Sequence, residues 1–323
     1  MSYQYRVITV FGGSGFLGRH LIQRLARTGA IIRVAVRHPS KAVFLKTSGN
    51  VGQIVPLAVD LNADESVAAA VRDADVVINL TGILFERGRQ TFAAVHEQGA
   101  ARIARLAAAA GARHLVHVSA LGADRESTSA YARSKARGEE LVREAFPAAT
   151  ILRPSLIFGP EDRFFNRFAG LSQILWVLPL IGCGRTRFQP VYVGDVVSAV
   201  MESLRQEKAA GKTFLLGGPE ICTFAQLLEK MLQHTHRSLP LVPVPWKVAE
   251  IMGRILQMVP LIDPLLTRDQ VELLKSDTVV RPGLPNLSDL GIAATAMDLI
   301  LPTYLTRFCA GGRFAVIRER SPV

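Results

Sequence analysis

Apolar positions in the first half of the chain follow two alternating patterns. Apolar runs of strand length occur at Val7–Phe11, Ile31–Val36, Ile54–Val59, Val76–Leu80 and Leu115–Val118. Between them lie segments with apolar residues on one helical face, at Phe16–Arg27, Glu65–Arg72, Phe92–Ala110 and Ala130–Ala145. Short apolar strands alternating with amphipathic helices call for a parallel sheet with both faces covered. Right-handed crossovers then give an α/β fold with a doubly wound parallel sheet. Runs at Thr150–Arg153 and Phe214–Leu216 extend that sheet. Beyond Thr223 the pattern is helical, at Phe224–Gln233, Trp246–Met258 and Arg268–Ser276, and is punctuated by Pro240, Pro243, Pro245, Pro260 and Pro264. The pattern predicts a sheet domain over 1–222, with an apolar insertion near 160–190, and a smaller, mainly helical region over 223–323.

The first strand leads directly into Gly12-Gly13-Ser14-Gly15-Phe16-Leu17-Gly18, which opens the first helix. Gly12, Gly15 and Gly18 form a GxxGxxG pattern. It allows a tight turn, close backbone approach to a pyrophosphate and close helix–strand packing, with the helix N-terminus facing the anion. A Gly-rich turn without a ligand is the plain alternative, but the flanking strand and helix favour a dinucleotide site lined by Gly12, Gly15, Phe16, Leu17 and Gly18. At the end of the second strand an NAD site usually carries an acid for the ribose 2′-hydroxyl. Here the chain reads Arg37-His38-Pro39-Ser40-Lys41, so Arg37, with Ser40 and Lys41 as helpers, is expected to grip a 2′-phosphate rather than stand as a solvated surface Arg, and NADP(H) is preferred over NAD(H). Asp60, closing the third strand beside Leu61, faces the adenine edge or caps the next helix. Tyr131 and Lys135 are one helical turn apart and share a face. In that arrangement Lys135 bonds the nicotinamide ribose and lowers the pKa of Tyr131, which passes a proton to or from a substrate oxygen held by Ser119.

Composition narrows the partners. The chain has 323 residues and a net charge of +11, yet only eight of its 38 basic residues are Lys, and no basic run reaches five. That pattern speaks for an Arg-rich coding bias, so no nucleic-acid partner is expected, while anionic partners suit the field. The three cysteines are far apart, so neither a disulfide framework nor a metal site is expected, and a reducing compartment is the natural setting. Residues 1–6 enter the first strand at once, so no signal or transit peptide is expected. The longest uncharged stretch, Phe168 to Gly184, is too short to span a bilayer and contains Pro179.

With these residues placed, the chain resembles the short-chain dehydrogenase/reductase superfamily. Arg153-Pro154-Ser155-Leu156-Ile157-Phe158-Gly159-Pro160 and Val191-Tyr192-Val193-Gly194-Asp195-Val196 are similar to landmarks of its extended or atypical branch, the Rossmann-like epimerases and dehydratases. The resemblance places Pro154 near the nicotinamide. Asn79-Leu80-Thr81-Gly82-Ile83-Leu84, Phe158 through Arg167, and Pro302 through Phe308 are similar to the alpha subcomplex subunit 9 family of respiratory complex I and its bacterial relatives. In this reading Leu80, Thr81 and Gly82 join the cofactor contacts. Mitochondrial members hold NADPH as a structural element near the membrane interface, and a related branch is linked to ubiquinone biosynthesis. The resemblance therefore implies membrane-bound respiratory or quinone-biosynthesis partners and a bacterial cytoplasmic setting, peripheral on the inner membrane, or the mitochondrial matrix side for a processed organellar form.

Two apolar stretches bear on this. Phe168 to Gly184 is flanked by Arg163, Arg167, Arg185 and Arg187, and Ile255 to Leu266 carries only Asp263. Each is core, or a surface for a membrane or membrane-bound partner, or a wall for a prenylated quinone precursor. Three functions stay open: an NADP(H)-holding accessory or assembly factor; an active NADP-dependent reductase, epimerase or dehydratase using Tyr131 and Lys135; and a redox-sensing regulator.

Overall fold

The computed structural model describes residues 5–257, 264, 266–309 and 312. The apolar runs pair into one sheet: β1 (Val7–Phe11), β2 (Ile31–Val36), β3 (Ile54–Ala58), β4 (Val76–Asn79), β5 (His114–Val118), β6 (Thr150–Pro154) and β7 (Thr213–Leu216). All neighbours are parallel, in the order β7-β6-β5-β4-β1-β2-β3. The order reverses between β4 and β1, and ligands of doubly wound sheets bind beyond the carboxyl ends of the strands at such a switch point. Helices α1 (Phe16–Ala26), α2 (Asp64–Val71), α3 (Gly99–Ala109) and α4 (Ala130–Ala145) fill the crossovers.

Two local features depart from the expected helices. The β2–β3 connection is a ten-residue 3-10 segment, Pro39–Ser48, in which Ala42 and Leu45 alone are buried. The helix expected over Phe92–Ala110 begins with a π-helical turn, Ala93–Gln98, before continuing as α3. Such turns are rare and cluster at functional sites.

Compactness divides the chain into two units, each drawn from several stretches. The sheet unit takes Met1–Pro154, Gly194–Leu216 and Arg281–Ile292; the second unit takes Ser155–Val193, Gly217–Val280 and Ala293–Val323. Residues 160–190, expected as an insertion of a domain ending at 222, thus group with the helical residues.

The second unit packs Phe158, Phe165, Phe224, Leu227, Met231 and Leu301 into its own core. Its helices start sharply because Thr223 and Thr267 each form a capping box, with Gln226 and Gln270. Two of the segments that carry the family resemblance bond one another here: Tyr304 Oη donates to Asp162 Oδ2 at 2.5 Å, and Arg307 bonds Asn166. The stretch 168–184 is split. Ala169, Leu178, Leu180 and Ile181 are core, whereas Ile174 to Val177 are exposed, Trp176 by 88%. The helix Trp246–Gln257 buries only Ala249 and Gly253 and exposes Val248, Ile251, Met252 and Ile255. Met258, expected to end that helix, and residues 258–263 and 265 of the second apolar stretch lie outside the described residues. No helix among the described residues is long and apolar enough to cross a membrane.

Candidate functional site

Every residue singled out for chemistry lies in the sheet unit, at the carboxyl ends of its strands, on the loops that follow them or on α1 and α4. Gly12 turns the chain after β1 with φ +77°, and a Cβ there would come within 3.1 Å of the Leu80 carbonyl. Two requirements therefore select glycine, the left-handed backbone and the close approach to the β4 exit. A Cβ on Gly18 would lie 2.5 Å from the Gly13 carbonyl, so α1 can press on the loop only with glycine there. Gly15 precedes α1 without a side-chain cap, and the first turn of α1 carries no acid. Phe16 and Leu17 open that helix, Leu17 buried in the core. An uncapped helix start of this kind suits an anion.

Arg37 and Lys41 are exposed just beyond β2, Lys41 on the 3-10 segment. Arg19 of α1 lies 5.3 Å over the Phe44 ring and ties this segment to the first helix. Asp60 does not cap α2, whose N-cap is Ala63; its Oδ1 instead accepts from Asn62 N at 2.9 Å and Asn62 Nδ2 at 3.1 Å. The Leu61 carbonyl accepts from Arg102 at 2.6 Å.

Beneath α4 the site becomes polar and buried. Ser129 caps this helix, accepting from Ala132 N at 3.3 Å. One turn in, Lys135 is buried; its Nζ donates to the Val118 carbonyl at 3.3 Å and lies where a Cβ on Gly82 would touch it at 3.3 Å. Burial lowers the Lys135 pKa to about 8, with the Glu139 carboxylate opposing the shift, so the ammonium keeps its charge at neutral pH. Glu139 itself is buried and receives both prongs of Arg153, at 2.8 and 2.7 Å. Tyr131 stands edge-on to His96 (5.3 Å) and Phe92 (5.9 Å). Pro154 ends β6, and its carbonyl accepts from Leu121 N at 2.9 Å.

β5 presents His117 and Ser119 on one face. Asn79 Oδ1 accepts from Thr81 N (3.0 Å) and Thr81 Oγ1 (2.6 Å), which turns its amide NH2 to His117 Nδ1 at 3.1 Å. The His117 proton must then sit on Nε2, a buried atom with no protein partner, like the neighbouring Ser119 Oγ. Burial first, then the Lys135 and Arg143 charges, lower the His117 pKa to about 3 and keep the ring neutral.

The fold therefore brings together Gly12, Leu80, Thr81, Gly82 and Lys135, with Tyr131 one turn from Lys135 and Ser119 directly after Val118. The helix start at Gly15, the Gly12 cradle and the unpartnered buried Ser119 hydroxyl fit a dinucleotide. Sequence reading missed His96, His117, Glu139 and Arg153. Only Glu139 had a legible signal, standing four residues after Lys135 on the same helix face. Among the described residues no group of three or more His, Cys, Asp or Glu side chains is placed to hold a metal.

The family model for the NAD dependent epimerase/dehydratase family matches residues 8–217. The chain belongs to that family. Among curated relatives it is 38% identical over 295 residues to the mitochondrial NADH dehydrogenase [ubiquinone] 1 alpha subcomplex subunit 9 of Mus musculus, covering 91% of this chain and 78% of that one. It is 34% identical over 202 residues to a ceramide reductase of Caulobacter vibrioides, covering 62% of this chain and 61% of that protein. The fold is also that of the NADPH-dependent quinone oxidoreductase of Escherichia coli solved with NADPH, with a TM-score of 0.71, 20% identity, and 93% and 99% of the two chains covered.

Proposed function

We propose that the protein holds NADP(H) in the sheet unit and serves the respiratory chain or ubiquinone biosynthesis as an accessory or assembly factor. The observation that carries the reading is the likeness to the complex I subunit over 91% of this chain, in a chain that keeps an intact glycine cradle. In this reading Gly12, Gly15, Phe16, Leu17 and Gly18 receive the pyrophosphate. Arg37 and Lys41 take the 2′-phosphate, and Asp60 and Leu61 border the adenine. Leu80, Thr81, Gly82 and Pro154 line the nicotinamide end, where Lys135 bonds the ribose. Docking uses the apolar side chains that the second unit exposes, Ile174 to Val177 and the outer stripe of Trp246–Gln257, on a membrane-bound partner or the membrane surface. Leu178 plays no part in docking, because it is fully buried. The reading is tested by isolating the full chain from its native membranes under mild detergent and identifying bound nucleotide and subunits by mass spectrometry. Co-isolation of NADP(H) with respiratory or quinone-pathway proteins supports it; chain without either contradicts it.

One observation favours a second reading, turnover. Tyr131 and the charged Lys135 stand one turn apart, with the Ser119 hydroxyl buried and unpartnered at the β5 exit. NADP(H), when bound, supplies hydride exchange. Ser119 would then orient a substrate oxygen, Tyr131 would pass it a proton, and Lys135 would favour the phenolate that results. Tyr131→Phe separates the readings: an enzyme loses turnover with nucleotide affinity almost unchanged, whereas an accessory factor keeps its cellular function.

A further inference from the structure

His96 is fully enclosed in the π-helical turn before α3, stacked on Phe92 at 5.4 Å and edge-on to Tyr131. Its two ring nitrogens reach different segments. Ile83 N, directly after the Leu80–Gly82 exit of β4, donates to Nε2 at 3.0 Å. Nε2 must therefore carry the lone pair, and the proton sits on Nδ1, 2.9 Å from Ser134 Oγ. Ser134 in turn gives its own proton to the Tyr131 carbonyl at 2.8 Å. The result is a one-way chain of donors, Ile83 N–H to His96, His96 to Ser134, Ser134 to the Tyr131 carbonyl.

We propose that His96 is the positioning residue that fixes the β4 exit against the Tyr131–Lys135 turn. The proposal rests on the nucleotide reading given above, in which these two segments hold the nicotinamide end. The backbone of His96 is closely packed as well: a Cβ on Gly138 of α4 would come within 2.0 Å of the His96 carbonyl oxygen, so only glycine lets α4 approach it. The ring cannot double as a proton carrier. A proton added at Nε2 would face the Ile83 N–H, donor against donor, in a pocket beside the Lys135 ammonium. Burial and that ammonium lower the His96 pKa to about 2, in keeping with a permanently neutral role.

The test uses His96→Phe, His96→Asn and His96→Gln in the full chain. Phe keeps the ring and loses both bonds; Asn keeps a group at the Nδ1 position and Gln one at the Nε2 position. Binding of NADPH is followed by nucleotide fluorescence. Binding of adenosine 2′,5′-bisphosphate, which lacks the nicotinamide half, is followed by calorimetry. His96→Phe should weaken NADPH by about tenfold or more while the bisphosphate stays within about twofold, with Asn and Gln each recovering part of the loss. If the Phe variant does not fold, Asn and Gln carry the test, each weakening NADPH and sparing the bisphosphate. Unchanged NADPH affinity, or equal loss of both ligands, would overturn the assignment. A wild-type chain that binds neither ligand would instead overturn the nucleotide reading, and this inference with it.

Discussion

Two helices of this protein depart from the usual amphipathic rule in opposite ways. An ordinary surface helix turns an apolar stripe inward and polar residues outward. α4 turns Ser134, Lys135 and Glu139 inward, all but fully buried. Trp246–Gln257 does the reverse, burying Ala249 and Gly253 while Val248, Ile251, Met252 and Ile255 remain exposed at the i, i+3, i+4, i+7 spacing. A polar inner face costs desolvation, so each of its groups has to find a particular partner: Ser134 has His96, Lys135 the Val118 carbonyl, Glu139 the Arg153 guanidinium. An apolar outer face needs no partner for the unit to fold, and it becomes an asset only when something covers it. The first gives each buried polar group a fixed partner inside the fold, and the second leaves an apolar stripe exposed on the second unit.

The comparison breaks most visibly at Glu139. Glu139→Ala leaves Arg153 without its carboxylate and should cost about 3 kcal/mol, the low end for a broken buried pair, because Arg153 reaches solvent in part. Urea unfolding with an unchanged m-value is the measurement. A loss under about 0.5 kcal/mol would mean that the inner face of α4 is ordinary surface in energetic terms.

Acid should act on the same region. His96 and His117 have folded pKa values of about 2 and about 3, below the unfolded value near 6.5. Between those limits the unfolded chain binds more protons than the native one, so stability is full above pH 6.5 and falls as pH drops. Each ring should withdraw about 1.4 kcal/mol per pH unit below pH 6. Thermal unfolding of nucleotide-free protein at pH 7 and 5, with His117→Asn as the control, checks this; a variant with the wild-type acid slope would contradict it.

The smallest stability effect belongs to the other helix. Val248→Ser, Ile251→Ser and Ile255→Ser should each change stability by less than about 1 kcal/mol, since roughly half of each side chain is already in water. Under the docking proposed above, the same three changes together should release the protein from native membranes in a sedimentation assay. Loss of more than about 1.5 kcal/mol for any one of them would mark the stripe as core.

Much of the sheet was readable from the sequence because strands covered on both faces leave a mainly apolar signature, and β1, β2, β3, β4 and β6 begin where the runs do. The glycine loop was equally legible, since φ +77° at Gly12 and the Gly18–Gly13 approach leave room for no other residue. The π turn was not, because periodicity over six residues cannot separate 3.6 from a wider turn. His96 and His117 were missed for a related reason. A buried histidine declares its role only through partners distant in sequence, here Ser134 and Asn79, each 38 residues away. The grouping of 155–193 with the helical residues was hidden likewise, since chain order says nothing about a segment that packs with residues far along the chain.

The central claim, that the sheet unit is an NADP(H) site, is tested most directly by titrating NADPH and NADH into the wild-type chain and Arg37→Ala by calorimetry. Loss of one charge-assisted phosphate contact is worth about 1.5–3 kcal/mol. The wild type should therefore bind NADPH at least about tenfold more tightly than NADH, and Arg37→Ala should remove most of that preference while leaving NADH unaffected. Equal affinity for the two nucleotides in the wild type, or a preference that survives Arg37→Ala intact, would contradict the account.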